Sequence, residues 1–186
     1  MPEWDPSGGA LIAAHAMGSV TMPTILSTAV YWQGDEPYSE VAAAWSTSLA
    51  SVANQNYQLA ATLAHQGLLA NPGSPLLLNN LAYALVECGK LDGAERALAN
   101  VPERIEEHTA IAGRATTGLL AFRRGSPPEG RRHYQVAIRQ ARAVGFREEE
   151  AMASVMLAGE EVRSGSAFAL PAIAVAEEAV GPQRTG

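Results

Sequence analysis

The side chains that could support acid–base, nucleophilic or metal chemistry are few in this sequence, and they lie far apart. Its four histidines, His15, His65, His108 and His133, are widely spaced, and no His-Glu-x-x-His pattern pairs two of them for zinc. The single cysteine, Cys88, stands near the predicted end of a helix, where the negative end of the helix dipole disfavours a reactive thiolate. We therefore predict no catalytic residue, no metal site and no cofactor site, and we expect the protein not to be an enzyme.

Three runs of acidic residues have simpler explanations than catalysis. Glu148–Glu150 opens a predicted helix, where carboxylates are favoured by the positive end of the helix dipole. Glu160–Glu161 and Glu177–Glu178 are predicted to lie on solvent-exposed faces of helices. Paired carboxylates act as acid and base only when they face each other in a pocket, and this spacing does not predict such a pocket.

The elements that carry these residues are predicted to be helices. Alanine accounts for 35 of the 186 residues, whereas aromatic residues make up only 6%. Alanine is the strongest helix former and allows helices to approach closely, while strands prefer the β-branched and aromatic residues that are sparse here. The composition therefore predicts an all-α protein that forms one domain or one short repeat array.

Charge and hydropathy argue against several classes of protein. The net charge of -6 disfavours non-specific binding to nucleic acid, and a single cysteine excludes an internal disulfide framework. The first residues, Met1–Asp5, lack the basic side chains of a secretory signal, and no run of 18 apolar residues could span a membrane. We expect a soluble, cytoplasmic protein that binds neither membranes nor nucleic acid.

A pattern of small and large residues recurs along the chain with a period of about 34 residues. In the clearest copy, a first helix begins near Leu78 and ends at Gly89, and a second helix follows with Asp92 as its predicted N-cap. Pro72 closes the preceding copy, because proline cannot continue a helix. Later copies place Gly125 and Gly165 at the same turn.

This pattern resembles the tetratricopeptide repeat family. The best copy matches the family's positions at Leu78, Leu81, Ala82, Leu85, Gly89, Ala94, Leu98 and Val101, and the next at Gly118, Ala121, Gly125, Gly130, Tyr134 and Ala137. The small residues allow the two helices of a pair to approach closely. One pair cannot bury its apolar face alone, so pairs must stack.

The resemblance implies an α-α superhelix, or solenoid, of three to four tetratricopeptide-like helix pairs with a helical N-terminal cap. The predicted array spans residues 41–184, divided into the frames 41–74, 75–108, 111–144 and 151–184. Residues 1–40 are predicted to form the cap or a degenerate repeat, with predicted helices over Ala10–Met17 and Thr24–Gln33, and residues 185–186 a tail.

The resemblance also implies where a partner would bind, because first helices line the concave face of such arrays. The residues that the family's offsets place in this groove are Trp45, Leu49, Asn79, Asn80, Tyr83, Val86, Thr116, Leu119, Phe122 and Arg123. Val52, Val155, Met156 and Val162 extend the same predicted surface. Trp45, Tyr83 and Phe122 are rigid aromatic anchors of the kind that dominate peptide recognition.

The predicted function is a non-catalytic scaffold that binds a protein or peptide partner in this groove. One alternative is that the N-terminal segment or the last helix fills the groove. Another is a homo-oligomerisation or regulatory module of a larger protein, motivated by the apolar residues Phe168, Leu170, Ile173 and Val175. The sequence gives less support to a third alternative, a nucleic-acid-linked regulator. Seven arginines lie between Arg123 and Arg147, but we interpret them as a solvated face paired with nearby acidic runs.

Overall fold

The computed structural model describes residues 48, 51–52 and 54–181 of the chain. Seven helices follow one another there: α1 (Tyr57–Ala70), α2 (Pro75–Glu87), α3 (Leu91–Ala99), α4 (Glu107–Arg123), α5 (Pro127–Val144), α6 (Arg147–Arg163) and α7 (Ala169–Val180). Ser48, Ser51 and Val52 are helical residues that precede α1. The predicted N-terminal cap, the groove residues Trp45 and Leu49, and the predicted tail lie outside the described residues.

Local sequence explains where several of these helices begin. The side chain of Asn56 caps α1 by accepting a hydrogen bond from the backbone N–H of Leu59 at 3.2 Å. Ser74 caps α2 in the same way, and Pro75 follows in the first turn, where its missing N–H removes no helical bond. The prediction that Asp92 caps α3 is wrong. The helix begins at Leu91 after Lys90, and Asp92 lies in its first turn, where its charge suits the dipole.

Glycines end the first helix of three successive pairs. Gly89, Gly125 and Gly165 follow α2, α4 and α6 with backbone φ angles of 73°, 78° and 61°. An L-residue in this left-handed region costs about 1–2 kcal/mol, whereas glycine adopts it freely. The turn glycines predicted from the sequence therefore reverse the chain between the two helices of each pair.

The pair α4–α5 shows why small residues are needed. A Cβ atom added to Gly118 would lie 2.8 Å from Tyr134 Cδ2, and one added to Gly130 would lie 2.4 Å from Phe122 Cδ2. Tyr134 is fully buried between the two helices. The backbones cross at these two glycines, and the large rings of Phe122 and Tyr134 fill the space that the missing side chains leave.

The helices pack in chain order. α1 packs on α2, α2 on α3, α4 on α5 and α6 on α7, while the first helices α2, α4 and α6 also contact each other in succession. A continuous core runs from Ala82 in α2 to Ala176 in α7. The described residues form no strand. The predicted all-α repeat solenoid is therefore confirmed, and the exact frames of the repeats stay a prediction.

Candidate functional site

An open groove of about 830 Å³ runs along the first helices of the solenoid. Its wall comes mainly from α2, α4 and α6, and Val52 and Gln55 before α1, Tyr57 of α1, Arg142 of α5 and the last turn of α7 complete it. The residues that line it are Val52, Gln55, Tyr57, Tyr83, Glu87, Leu119, Arg142, Arg147, Glu148, Glu150, Ala151, Met152, Val155, Met156, Gly159, Glu160, Arg163, Glu178, Ala179, Val180 and Gly181.

Aromatic and thioether side chains form the apolar surface of this groove. The rings of Tyr57 and Tyr83 meet edge to face, with their centroids 6.2 Å apart. Met152, Val155 and Met156 are half-buried on α6 and present their remaining surface to the groove. Methionine is flexible and polarizable, so this part of the wall can adapt to the shape of a bound chain.

A row of paired charges crosses the three first helices at one end of the groove. Arg123 of α4 lies between Glu87 of α2, 3.3 Å from its Nη2 to Oε1, and Glu160 of α6, to which its Nη1 donates a hydrogen bond. Arg163 adds a second bond to Glu160, 2.6 Å from Nη1 to Oε1. We call Glu87, Arg123, Glu160 and Arg163 the charge row. Its members neutralise one another, so this end of the groove carries no net charge.

The charge row also shapes the titration of its neighbours. Burial, followed by the nearby carboxylate of Glu87, raises the pKa of Tyr83 well above its ordinary value of 10.0. The same two causes raise the pKa of Tyr57. Burial acts to lower the pKa of Arg123, but the hydrogen bonds and negative charges of Glu160 and Glu87 together outweigh burial, and the pKa is raised. Both phenols therefore stay protonated and Arg123 stays charged at neutral pH.

Five of the predicted groove residues are buried, which corrects the prediction that all of them face a partner. Asn80, Val86, Thr116, Leu119 and Phe122 expose 8% or less of their surface. Their side chains lie in the contacts between neighbouring helices rather than on the surface of the groove. Leu119 still lines the groove, whereas the other four buried residues do not.

Two of these buried residues show the physical cause most clearly. Phe122 packs against the glycine gap at Gly130 and lies 6.2 Å from the ring of Tyr134, so it belongs to the core of α4–α5. Thr116 donates a hydrogen bond of 2.8 Å to the side-chain oxygen of Asn79, so both polar groups hold α2 against α4. Neither Phe122 nor Thr116 is available to a partner.

The other predicted groove residues that the structure describes differ in whether they line the groove. Tyr83 lines the groove and is half-buried. Arg123 is held by its two carboxylates, and Asn79 is half-buried and bonded to Thr116. Val155 and Met156 line the groove, whereas Val162 is exposed outside it.

Sequence reasoning missed Met152 and Gly159, which also line the groove on α6. They follow the same helical face as Val155 and Met156, at spacings of three and four residues. That spacing could have identified Met152 once α6 was placed. Gly159 gives no such signal, because a glycine within a helix more often marks a close contact inside the protein, as Gly118 does.

The prediction that Glu160 and Glu161 face solvent is wrong. Both are buried, at 6% and 0% exposure. Glu161 accepts two hydrogen bonds from Arg131 of α5, at 2.5 and 2.9 Å, and the guanidinium of Arg131 lies 4.0 Å above the ring centroid of Phe168. Burial acts to raise the pKa of Glu161, but the bonds from Arg131 and Ser166 outweigh it, and the pKa is lowered. This cluster fastens α6 to α5 rather than meeting a ligand.

Other arginines of the basic stretch also have carboxylate partners. Arg124 lies 2.9 Å from both Asp92 and Glu95 of α3, and Arg142 lies 2.7 Å from Glu150 of α6. Pairing with acidic residues is therefore observed for these two arginines. Among residues 54–181 and the three helical residues before them, no three metal-ligating side chains come together. The thiol of Cys88 is free and half-buried.

Comparison with known proteins agrees with this architecture. Residues 51–113 match the family model described as "Tetratricopeptide repeat". This match covers about a third of the chain and supports the tetratricopeptide repeat assignment that the sequence pattern predicted. No curated protein and no solved structure gives a match.

Proteins of this family generally mediate protein–protein interactions and are typically non-catalytic scaffolds. The matched residues cover α1, α2 and α3 together with the start of α4. In the part of the chain that the structure describes, no helix is long and apolar enough to cross a membrane.

Proposed function

We propose that this protein is a non-catalytic scaffold whose groove binds a segment of a partner protein. The observation that carries the proposal is the groove itself, an 830 Å³ channel along three first helices with Tyr57, Tyr83, Met152 and Met156 in its wall. Rigid aromatic and adaptable methionine side chains are the types that anchor a bound chain. We further propose that the protein works in the cytoplasm and does not bind nucleic acid.

The charges of the groove support an apolar rather than a highly charged partner. The charge row is neutralised internally, and Arg142 is paired with Glu150. A strongly charged segment would have to break these pairs or rely on Arg147, Glu148 and Glu178, the other charged residues of the lining, and breaking the pairs would weaken binding. The contacts are therefore expected to come mainly from apolar side chains placed against α6 and Tyr83.

Capture of partners from a lysate of the source organism tests this proposal. The full chain is immobilised beside the double variant Met152→Gln, Met156→Gln, and bound proteins are identified by mass spectrometry. The matched control is Gln135→Ala, on an exposed position of α5 that does not line the groove. We expect a protein that binds the wild type and the control and is lost from the groove variant. Identical capture by all three folded proteins would contradict the proposal.

A second candidate function, self-association, is favoured by the outer face of α7. Leu170 is 79% exposed and Val175 is 38% exposed, and Phe168 in the preceding turn is 53% exposed. Exposed apolar patches are common at protein–protein contacts, so this apolar face favours a contact with another copy. Sedimentation over a range of concentrations tests it. A mass that rises with concentration and falls back in Leu170→Ser supports self-association, and a constant monomer mass excludes it.

A further inference from the structure

One glycine of the groove wall, Gly159, has no explanation within the described fold. Gly159 lies within α6, four residues before the helix ends at Arg163, and it is exposed and lines the groove. A Cβ atom added there would have no heavy atom within 4 Å, whereas Gly118 and Gly130 are held by clashes below 3.0 Å. Glycine within a helix costs about 1 kcal/mol relative to alanine. The described contacts give no packing reason for this cost, and a backbone without a side chain permits close approach of another chain.

One part of this chain has the right chemistry to approach Gly159. The 24 residues from Ala10 to Gln33 contain no Asp, Glu, Lys or Arg, and they include two apolar stretches, Ala10–Met17 and Thr24–Gln33. A segment without charges suits a groove whose central wall is apolar and whose charge row is paired internally. Such a segment also needs a surface to cover it, because soluble proteins rarely expose long apolar stretches.

The attachment point of this segment lies beside the groove. Val52 and Gln55, a few residues after Ser48, line one end of it. About 15 residues separate Gln33 from Ser48, a length that reaches at most about 50 Å when extended. The helix α6 has 17 residues and is about 25 Å long, so the segment can reach Gly159. A linker of this length holds its end at an effective concentration of the order of millimolar, which favours binding within one chain.

We propose that the segment Ala10–Gln33 binds in the groove of its own chain and passes closely over Gly159, so that a partner must displace it. This inference rests on the proposed role of the groove as a binding surface for a polypeptide. It assigns Gly159 as the residue that determines how closely the bound segment approaches α6. The two half-buried methionines, Met152 and Met156, would flank the contact on the same helical face.

Tryptophan fluorescence tests the proposal in the full chain. All three tryptophans, Trp4, Trp32 and Trp45, precede Ser48, so none of the residues 54–181 contributes to the signal. In the variant Trp4→Phe, Trp45→Phe the emission reports only on Trp32, which lies inside the proposed segment. We expect Trp32 to have blue-shifted emission and to be protected from iodide quenching, at a level independent of protein concentration.

The substitution Gly159→Leu in this background is the decisive variant. Leucine favours the helix but occupies the space over α6, so we expect the Trp32 emission to shift to the red and its quenching by iodide to rise severalfold. Gln135→Leu, on an exposed position of α5 outside the groove, is the matched control and should leave both signals unchanged. If circular dichroism shows that Gly159→Leu does not fold, Met156→Gln takes its place with the same expectation.

Three outcomes would overturn the proposal. Trp32 could be as accessible to iodide in the native chain as in the urea-unfolded chain. Its emission could be unaffected by both groove substitutions. Its protection could increase with protein concentration, which would identify a second copy as the source of the segment. None of these results would remove binding of a separate partner, because capture from lysate measures that function independently of Trp32.

Discussion

The central helix pair, α4–α5, and the last described pair, α6–α7, use glycine in opposite ways. In α4–α5, Gly118 and Gly130 bring two backbones together, and Phe122 and Tyr134 close the space beside them. In α6–α7, Gly159 faces the open groove, and a Cβ atom added to it would have no heavy atom within 4 Å. The same residue type therefore serves the core in one pair, whereas in the next it leaves open space over α6, where we propose that a polypeptide segment binds.

The two pairs also differ in what they leave exposed. α5 buries Tyr134, Ala137, Ile138 and Ala141, whereas α7 buries only Ala172 and Ala176. The central pair has neighbours on both sides, but the described residues place nothing beyond α7. We therefore expect the central pair to contribute more to the stability of the solenoid, and we propose that the last pair contributes more to the binding surface. The predictions that follow test this division of roles, beginning with the largest expected effect.

The substitution Gly130→Ala should break the central pair. Its new methyl group would lie 2.4 Å from Phe122 Cδ2 and 2.8 Å from the carbonyl oxygen of Gly118, so α4 and α5 must move apart. We expect the free energy of unfolding to fall by about 3 kcal/mol in urea titrations. The matched change Gly159→Ala should alter it by no more than about 1 kcal/mol, because no described atom opposes the methyl group. Equal losses in the two variants would contradict the comparison.

The substitution Glu161→Gln tests how the last pair is attached to the central one. It leaves the guanidinium of Arg131, which is 18% exposed, without its carboxylate. We expect a loss of about 2 kcal/mol in the free energy of unfolding, because hydrogen bonds between charged groups contribute more than neutral ones. Glu95→Gln is the control, since Glu95 is 60% exposed and its pair with Arg124 should contribute below about 1 kcal/mol.

The same glutamate makes stability depend on pH. Because the folded-state pKa of Glu161 is lowered, its contribution is fully present above the ordinary value of 4.5 and is lost as the pH falls through the folded-state pKa. Wild-type stability should therefore decline more steeply than that of Glu161→Gln below pH 4.5. Parallel stability curves for the two proteins between neutral pH and acid would show that this carboxylate does not contribute.

Tyr134→Phe should stabilise the central pair. The hydroxyl oxygen of Tyr134 is fully buried and has no hydrogen-bond partner among the described residues. Burying a hydroxyl without a partner costs about 1–3 kcal/mol, so its removal should raise the free energy of unfolding by about 1 kcal/mol. Thermal and urea unfolding both measure this change. A loss of stability instead would reveal a partner for the hydroxyl.

The smallest effect is expected at the outer face of the last pair. Leu170 is 79% exposed, and Leu170→Ser should change the free energy of unfolding by no more than about 0.5 kcal/mol. A larger loss at low protein concentration would mean that the described face of α7 is covered by another part of the same chain. The measurement therefore separates a binding surface from a hidden core contact.

The fold was largely predictable from the sequence because its determinants are local and periodic. Gly89, Gly125 and Gly165 mark the turns, and the small residues at 82, 94, 118, 130 and 137 mark the close helix contacts. These residues are needed by the backbone conformation and by the close approach of helices, and their positions recur in each helix pair. The helix start at Leu91 was missed by one or two residues, since Asp92 favours an N-cap and a first turn alike.

The groove was predictable only in part, because position on a helix does not fix the direction of a side chain in a stack. Phe122 was predicted to be an anchor, but the gap at Gly130 lies behind it and the ring fills that gap. The sequence predicted that Glu160 and Glu161 face solvent. In the structure they pair with Arg123 and Arg131, which lie some 30 residues earlier in the chain on α4 and α5. These contacts depend on the tilt between pairs, which a periodic pattern does not contain.

Photo-crosslinking from the groove tests the central claim most directly. A photoreactive amino acid is placed at Met156 in the full chain, and in a second protein at Gln135 as the control. We predict that illumination in lysate joins position 156 to a polypeptide, either the N-terminal segment of the same chain or a partner, while position 135 forms no specific product. Equal yields at the two positions, or no product at position 156, would contradict the assignment of this groove as a binding surface.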